Sequence, residues 1–354
     1  MKTNLRFFNK SKMLPVDKFF FNVLYNKKKG YYNSKQPFGK HGDFITAPKV
    51  SILFSEIVAL WIVLTWQTLG RPNKINIVEL GPGDASLAEN ILNIFKKFPE
   101  FNKAKKLFLY EISKSLKNLQ KRKLTSKNVK WINNFDKIKD GPVIFFGNEF
   151  FDAIPIKQFK REKKNLFEKY YTVKENFEIK ELFRKASTKD IKIINSYKVL
   201  KNLRFIEFPK LGLSELNKIV NKISNLNGCL LLIDYGYTKP NNLNTLQSVM
   251  KHKKNPILKN LGNADITHHV NFALLKEFFL KNNLAVEKTI TQRQFLIKMG
   301  ILRRANILSK NMKFSDQANL YLRLKRLLSP KLMGSLFKVI LVSKKSFKNK
   351  FGFN

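Results

Sequence analysis

The sequence predicts an α/β protein built on a mostly parallel sheet with helices on both faces. Three observations lead there. From Lys74 onward, short apolar runs alternate with helix-length amphipathic segments. One run ends in Gly81-Pro82-Gly83 immediately before a helical pattern. No period of roughly 20 to 50 residues repeats, which excludes solenoids and propellers.

Residues 1–73 read as an N-terminal helical part. Within it, Val50 to Leu69 approaches the length of a membrane span, but Glu56 interrupts it. The uncharged remainder, Ile57 to Leu69, has 13 residues, against the roughly 20 that a bilayer requires. A buried helix is expected, and no transmembrane segment. Ile75 to Leu80 is the first strand. Ala85 to Phe98 follows as a helix, with Leu87, Ile91, Ile94, Phe95 and Phe98 on one face. Lys106 to Tyr110, Val129 to Ile132 and Val143 to Phe146 are the next three strands. The amphipathic Leu213 to Ile223 leads into a fifth, Cys229 to Ile233. Val270 to Leu280 reads as a helix with Thr267 as its cap. Ala285 to Thr291 and Leu336 to Val342 are strands suited to an antiparallel pair at the sheet edge. Between the fourth and fifth strands, the alternating runs Phe167 to Val173 and Phe177 to Phe183 indicate a β-rich insertion. The expected organisation is therefore 1–73, a core of 74–155 and 209–345, the insertion 156–208, and a helical insertion 295–335.

The charge is far from balanced: 68 Lys and Arg face 25 Asp and Glu in 354 residues, a net +43. Such a field attracts RNA, DNA or an anionic membrane surface. The basic residues are scattered from Lys2 to Lys350, and Lys, Asn, Ile and Phe are all heavily used, as A+T-rich coding produces. Nucleic acid is therefore the second choice of partner. A single cysteine, Cys229, excludes an intrachain disulfide and a cysteine-cluster zinc site. His268 and His269 are adjacent and cannot share one face, so no metal site is expected. The basic stretch Met1 to Met13 lacks an apolar core, which argues against a secretory signal. A cytoplasmic location is the expectation, with a mitochondrial one second.

The sharpest motif is Val78-Glu79-Leu80-Gly81-Pro82-Gly83-Asp84-Ala85, a strand, a glycine turn and a helix start. Glycines let backbone approach a ligand closely, and a helix N-terminus offers free N–H groups. A dinucleotide fingerprint carries Gly or Ala where Ser86 stands. Glu79 would also repel a pyrophosphate, whereas the methionine part of S-adenosyl-L-methionine (SAM) carries an ammonium group. Glu111 closes the second strand, where an acid can accept hydrogen bonds from ribose hydroxyls. The motif thus favours a SAM pocket over a structural turn. Asn148-Glu149-Phe150-Phe151-Asp152-Ala153-Ile154-Pro155 follows another strand, with an amide and two carboxylates able to orient a guanidinium or amine. Asp234-Tyr235-Gly236-Tyr237 reads equally as a site or as plain turn chemistry.

Together with Gly30-Tyr31-Tyr32, Pro37-Phe38-Gly39, Gly42-Asp43-Phe44-Ile45-Thr46-Ala47-Pro48, Thr245-Leu246-Gln247, Ala264-Asp265-Ile266-Thr267-His268-His269-Val270 and Met333-Gly334, these motifs resemble the MidA-like methyltransferases. The resemblance spans about Tyr25 to Ser343. It implies a Rossmann-like class I methyltransferase fold with a seven-stranded sheet and methyl transfer from SAM. It further implies a protein substrate offering an arginine side chain, since the mitochondrial member methylates a respiratory complex I subunit. On this reading Glu79, Gly81, Pro82, Gly83, Glu111, Gly42 and Asp43 hold the cofactor. Asn148, Glu149 and Asp152 face the methyl group, with His268 for proton removal. The chain departs from the family pattern at Lys49 (usually an acid), Ser55 (glycine), Asp84-Ala85-Ser86 (Arg-Gly-Thr) and Asn271 (Asp). Lower affinity for SAM is the expectation from Asp84 and Ala85. An RNA methyltransferase, and a non-catalytic assembly chaperone that keeps the fold, are the alternatives.

Overall fold

The computed structural model describes residues 6–8, 11–34, 47–124, 129–347 and 350–353. Its main sheet has seven strands on one path: β1 (Ile75–Leu80), β2 (Lys105–Tyr110), β3 (Val129–Ile132), β4 (Val143–Asn148), β5 (Cys229–Tyr237), β6 (Ala285–Val286) and β7 (Phe337–Ser343). They lie in the order β6-β7-β5-β4-β1-β2-β3. β3, β2, β1, β4 and β5 are parallel, as right-handed crossovers dictate. β7 runs antiparallel between β5 and β6. The sequence placed the last two strands at the edge as a pair. The pair forms there, with β6 outermost; β7, flanked by β5 and β6, is accordingly buried along almost its whole length. The stretch Ala285 to Thr291 splits around Glu287 and Lys288 into β6 and a second short strand, Ile290–Thr291, which also pairs with β7.

Two compact units divide the chain. One contains Met1–Phe44, Phe151–Asn217 and Tyr237–Phe278; the other contains Ile45–Phe150, Lys218–Gly236 and Phe279–Asn354.

In the second unit, the helix Ile52–Thr68 is apolar on all sides and buried, as a helix without a polar face must be. The Ser51 hydroxyl caps it by accepting from the Leu53 N–H at 3.3 Å. Its one charge, Glu56, accepts two hydrogen bonds from the Arg304 guanidinium at 2.7 and 3.0 Å. That pairing is how a carboxylate is accommodated there. Phe54, Ile57 and Trp61 from this helix join Ile75, Ile77, Phe146, Leu231 and Leu341 of the sheet in one core. No helix among the described residues is long and apolar enough to cross a membrane. The stretch 295–335 is occupied by helices, including Ile301–Ser309 and Phe314–Leu328.

In the first unit, four antiparallel strands, Lys157–Glu162, Asn165–Val173, Ile179–Lys185 and Phe205–Phe208, lie within the stretch 156–208. It also holds a helix, Thr188–Ser196, which the sequence reading did not separate. A short N-terminal strand, Met13–Pro15, pairs with Tyr170 to Thr172 and joins that sheet. Lys157 sits among three acids, Asp17 at 3.9 Å, Asp190 at 3.7 Å and the hydrogen-bonded Glu168, and ties helix Val16–Tyr25 to the sheet.

Two local expectations are corrected. Thr267 is not a helix cap: it lies in the strand Asp265–Thr267, and the helix starts at Phe272. Asn271 Oδ1 accepts from the Leu274 N–H at 3.0 Å and does the capping. The strand read as Cys229 to Ile233 runs on to Tyr237, so Asp234-Tyr235-Gly236-Tyr237 forms the end of β5 and the plain-turn alternative falls away.

Candidate functional site

The parallel strands end at a common rim. Leu80 is paired with Tyr110 and with Gly147, and Gly147 with Leu232. The residues beyond these pairs stand at the carboxyl ends of the strands, where open α/β sheets bind ligands.

Past β1 the chain turns on left-handed backbone at Gly81 (φ +62°), Gly83 (φ +55°) and Ala85 (φ +61°). The Gly81 N–H donates to the Tyr110 carbonyl at 3.0 Å, holding the turn against β2. A Cβ on Gly81 would stand 2.9 Å from Cδ2 of Phe150, so both dihedral and space require glycine. Ala85 adopts the same left-handed conformation with a Cβ, at a cost of about 1 kcal/mol. The helix Ser86–Phe95 starts directly after it.

Two buried acids flank this turn. Glu79 is 2% exposed, and its Oε2 has no hydrogen-bond partner among the described residues. Burial, and secondarily the Asp84 charge, push its carboxyl up to about 8. Glu111, just past β2, accepts from the Ser113 N–H at 2.8 Å and from Gln120 Nε2 at 3.2 Å. Burial still raises it to about 7 against those bonds. Gln120 is a residue that sequence reasoning missed. It is fully buried, donates also to the Gly83 carbonyl at 2.9 Å and accepts from Trp131 Nε1 at 2.9 Å. One amide thus fixes the turn relative to Glu111. Nothing marks it in the sequence, where it lies in a lysine-rich helix.

The departures from the family pattern explain one another. Lys49 and Asp84 form an ion pair at 2.8 Å. Burial works against the Asp84 charge, but Lys49 outweighs it and holds the carboxyl below its usual range. Lys123 adds a hydrogen bond to the Ser86 hydroxyl at 2.7 Å. The acid in the cofactor turn is therefore held by a base on each side. Ser55 accepts from Asn90 Nδ2 at 3.2 Å, and Asn271 caps a helix as Asp would.

At the end of β4, Asn148 and Glu149 share this rim. Glu149 is held in left-handed backbone (φ +52°), uncommon for a residue with a long side chain. Its N–H donates to the Ile233 carbonyl at 3.0 Å. Its Oε1 accepts from Asn148 Nδ2 at 3.1 Å and from the Ala47 N–H at 3.4 Å. Asn148 Oδ1 is buried with no hydrogen-bond partner among the described residues.

Asp152 and His268 belong to the other compact unit and lie together there. The His268 N–H donates to the Asp152 carbonyl at 3.1 Å. Its ring nitrogens lie 3.1 Å from the Ile154 carbonyl and 3.2 Å from that of His269. Burial depresses its pKa below the ordinary histidine value, against the pull of those carbonyls and of Asp152. Beside them, the Tyr32 hydroxyl donates to Asp265 at 3.2 Å, and the Tyr25 hydroxyl to the Ala153 carbonyl at 3.3 Å. Gly42 and Asp43 lie outside the described residues. Glu79, Gly81, Pro82, Gly83, Glu111, Asn148 and Glu149 are thus gathered in one unit, with Asp152 and His268 in the other.

Glu79 gives a measurable pH dependence in the ligand-free protein. Its unfolded carboxyl ionises near 4.5, while the folded one retains its proton to about 8. The folded state binds more protons across that window, so stability falls as pH rises through it and levels off above about 8. Glu79→Gln removes this penalty. Thermal melts are expected to show the variant more stable by a few kcal/mol at pH 8, the gap closing toward pH 4.5. Parallel melting profiles for variant and parent would refute the assignment.

A strand order with an inserted antiparallel seventh strand, a Gly-Pro-Gly turn and buried acids ending β1 and β2 define a class I SAM-dependent methyltransferase. Comparisons with known proteins agree. Residues 57–290 match the family described as "Putative S-adenosyl-L-methionine-dependent methyltransferase". A Caenorhabditis elegans protein arginine methyltransferase NDUFAF7 homolog, mitochondrial, is 30% identical over 81% of this chain and 74% of its own length. The Xenopus tropicalis protein arginine methyltransferase NDUFAF7 is 26% identical over 92% of this chain and 81% of its own. A Burkholderia thailandensis crystal structure bound to S-adenosyl-homocysteine superposes with a TM-score of 0.83 at 21% identity, covering 99% of this chain and 92% of that one. It shows the fold. The chain belongs to the MidA-like family of SAM-dependent methyltransferases.

SAM is the cofactor, and the residues fit it. An orphaned acceptor on Glu79, a second on Asn148 and a turn that admits no side chain at Gly81 are what a ligand rich in N–H and O–H donors requires.

Proposed function

We propose that this enzyme methylates an arginine side chain of a partner protein, with a respiratory complex I subunit as the substrate implied by its family. The relatives named as protein arginine methyltransferases, 26–30% identical over most of the chain, support this reading. The observation that carries it is Glu149: a carboxylate held in strained backbone at the cofactor rim and aimed by two hydrogen bonds. Structures tolerate such strain where function needs it.

When bound, SAM supplies a methyl group on an electrophilic sulfonium. The chain's own residues do the rest. Glu79 would accept from the cofactor's ammonium group and Glu111 from its ribose hydroxyls, while Gly81, Pro82 and Gly83 would let the backbone approach. A guanidinium is a poor nucleophile because its charge is delocalised. Glu149 draws that charge toward one nitrogen and leaves a lone pair on another. As that lone pair forms the N–CH3 bond, the S–CH3 bond of the sulfonium would break, and the proton the guanidinium must lose would pass to the Glu149 carboxylate. Asn148 orients Glu149. His268 is reassigned from proton acceptor to clamp: both of its ring nitrogens face backbone carbonyls, and it holds the Asp152–Ile154 segment.

The test is transfer of labelled methyl from SAM to proteins of a cell extract, followed by acid hydrolysis. Label in methylarginines is expected. Label confined to RNA would favour the nucleic-acid reading, which the +43 charge suggests. No label in either would favour the chaperone.

A further inference from the structure

The charge of the chain has so far had no role, and one face of the helical segment ahead of β7 gives it one. Between residues 299 and 333 the sequence has eight Lys or Arg and a single acid, Asp316. There the helices Ile301–Ser309 and Phe314–Leu328 pack as a hairpin, joined where the Tyr321 hydroxyl meets Asn306 Oδ1 at 3.1 Å and Gln317 Nε2 meets the Ser309 carbonyl at 3.0 Å. Leu320, Leu324, Leu327 and Leu328 turn into the core. A second apolar stripe does not. Phe314, Ala318, Tyr321 and Leu322 recur at the spacing of one helix face and are all exposed. Phe314 is 85% and Leu322 64% exposed. Leu302, one turn from Asn306 and also exposed, extends the stripe onto the first helix. Arg303, Lys310, Lys313, Arg323, Lys325 and Arg326 border it, all exposed.

We propose that this hairpin face docks on an anionic lipid surface, lying in the interface without crossing it. Exposed apolar side chains flanked by Lys and Arg are the pattern of interfacial helices, in which apolar burial and headgroup attraction add. The stripe fits acyl chains better than the other polyanion. Base stacking uses aromatic or guanidinium planes; Phe314, Tyr321 and the rim arginines offer such planes, but Leu302, Ala318 and Leu322 among them are aliphatic and give a base nothing to stack on. A second copy of the chain is disfavoured because it would bring a like-charged rim against this one. The hairpin lies within one compact unit, outside the residues assigned to cofactor or substrate.

The test is co-sedimentation of the full chain with vesicles of phosphatidylcholine, alone or with roughly one part in four phosphatidylglycerol. The discriminating variant is Phe314→Ser/Leu322→Ser. It removes no charge, and its side chains are too exposed to support the core. Binding to the anionic vesicles only is expected, weakened roughly tenfold in the double variant, with an unchanged melting temperature. Equal sedimentation of variant and parent would overturn the proposal, since charge alone would then account for binding. Equal binding to pure phosphatidylcholine would also overturn it. So would a matching loss of poly(U) affinity in the double variant, which would assign the face to RNA.

Discussion

Glu149→Gln is expected to lower kcat for protein methylation by roughly 10²- to 10⁴-fold while leaving the SAM dissociation constant within about twofold. The substitution keeps the shape of the side chain and removes its charge. Glutamine can still sit on the left-handed backbone of residue 149 and reach Asn148 or the Ala47 N–H, so the fold at the end of β4 is preserved. What disappears is the anion that draws the guanidinium charge to one side. Steady-state kinetics with calorimetric SAM binding separates the two effects, and a kcat within threefold of the parent would remove Glu149 from the reaction. Glu149→Gly gives an independent reading. Glycine relieves the positive φ, so this variant is expected to melt higher by about 1 kcal/mol while losing activity. A site that gives up stability for function has this signature; a residue kept for structure would lose both.

Gly81→Val is expected to weaken SAM binding at least about 100-fold. Two costs act together. A β-branched residue at φ +62° is strained by about 1–3 kcal/mol, and its Cβ would meet the Phe150 ring at 2.9 Å. Either the turn or the ring must shift, and both stand at the cofactor rim. Gly81→Ala should fall between parent and valine. Combining it with Phe150→Ala should restore part of the affinity, because the double variant relieves contact and leaves only backbone strain. Calorimetry across this series decides the matter: loss of affinity without rescue by Phe150→Ala would show that the dihedral alone requires glycine there.

Much of this was legible in the sequence because period and position carry it. Val129–Ile132 was bounded correctly, and Leu87, Ile91 and Phe95 do face the core, since a buried face must repeat with its element. The glycine turn was legible because a strand end, two glycines and a helix start must coincide to make one. What escaped was set by partners remote in sequence. The strand Cys229 to Ile233 reads too short, with Asp234 to Tyr237 left open between a site and turn chemistry, because only Lys338 and Phe337, about a hundred residues later, make Asp234 and Tyr235 part of a ladder. Gln120 was invisible because its role depends on Gly83, Glu111 and Trp131 converging on one amide. Read singly, Asp84 is a weakness in the cofactor site and Lys49 an unexplained departure from the family pattern. As an ion pair they account for each other.

The interior place of β7 also sets the order in which the chain can be finished on the ribosome. β5 ends at Tyr237, and the strand that covers its free flank does not begin until Phe337. At about 5–20 residues per second, that flank waits roughly 5 to 20 seconds during synthesis. Throughout that interval Leu230 to Ile233 present an unpaired, apolar edge, the kind of template on which nascent chains aggregate. Truncation before Phe337 would make the interval permanent. Production of this enzyme should therefore depend on chaperone supply and on an intact C-terminal strand, independently of whether its catalytic residues are sound.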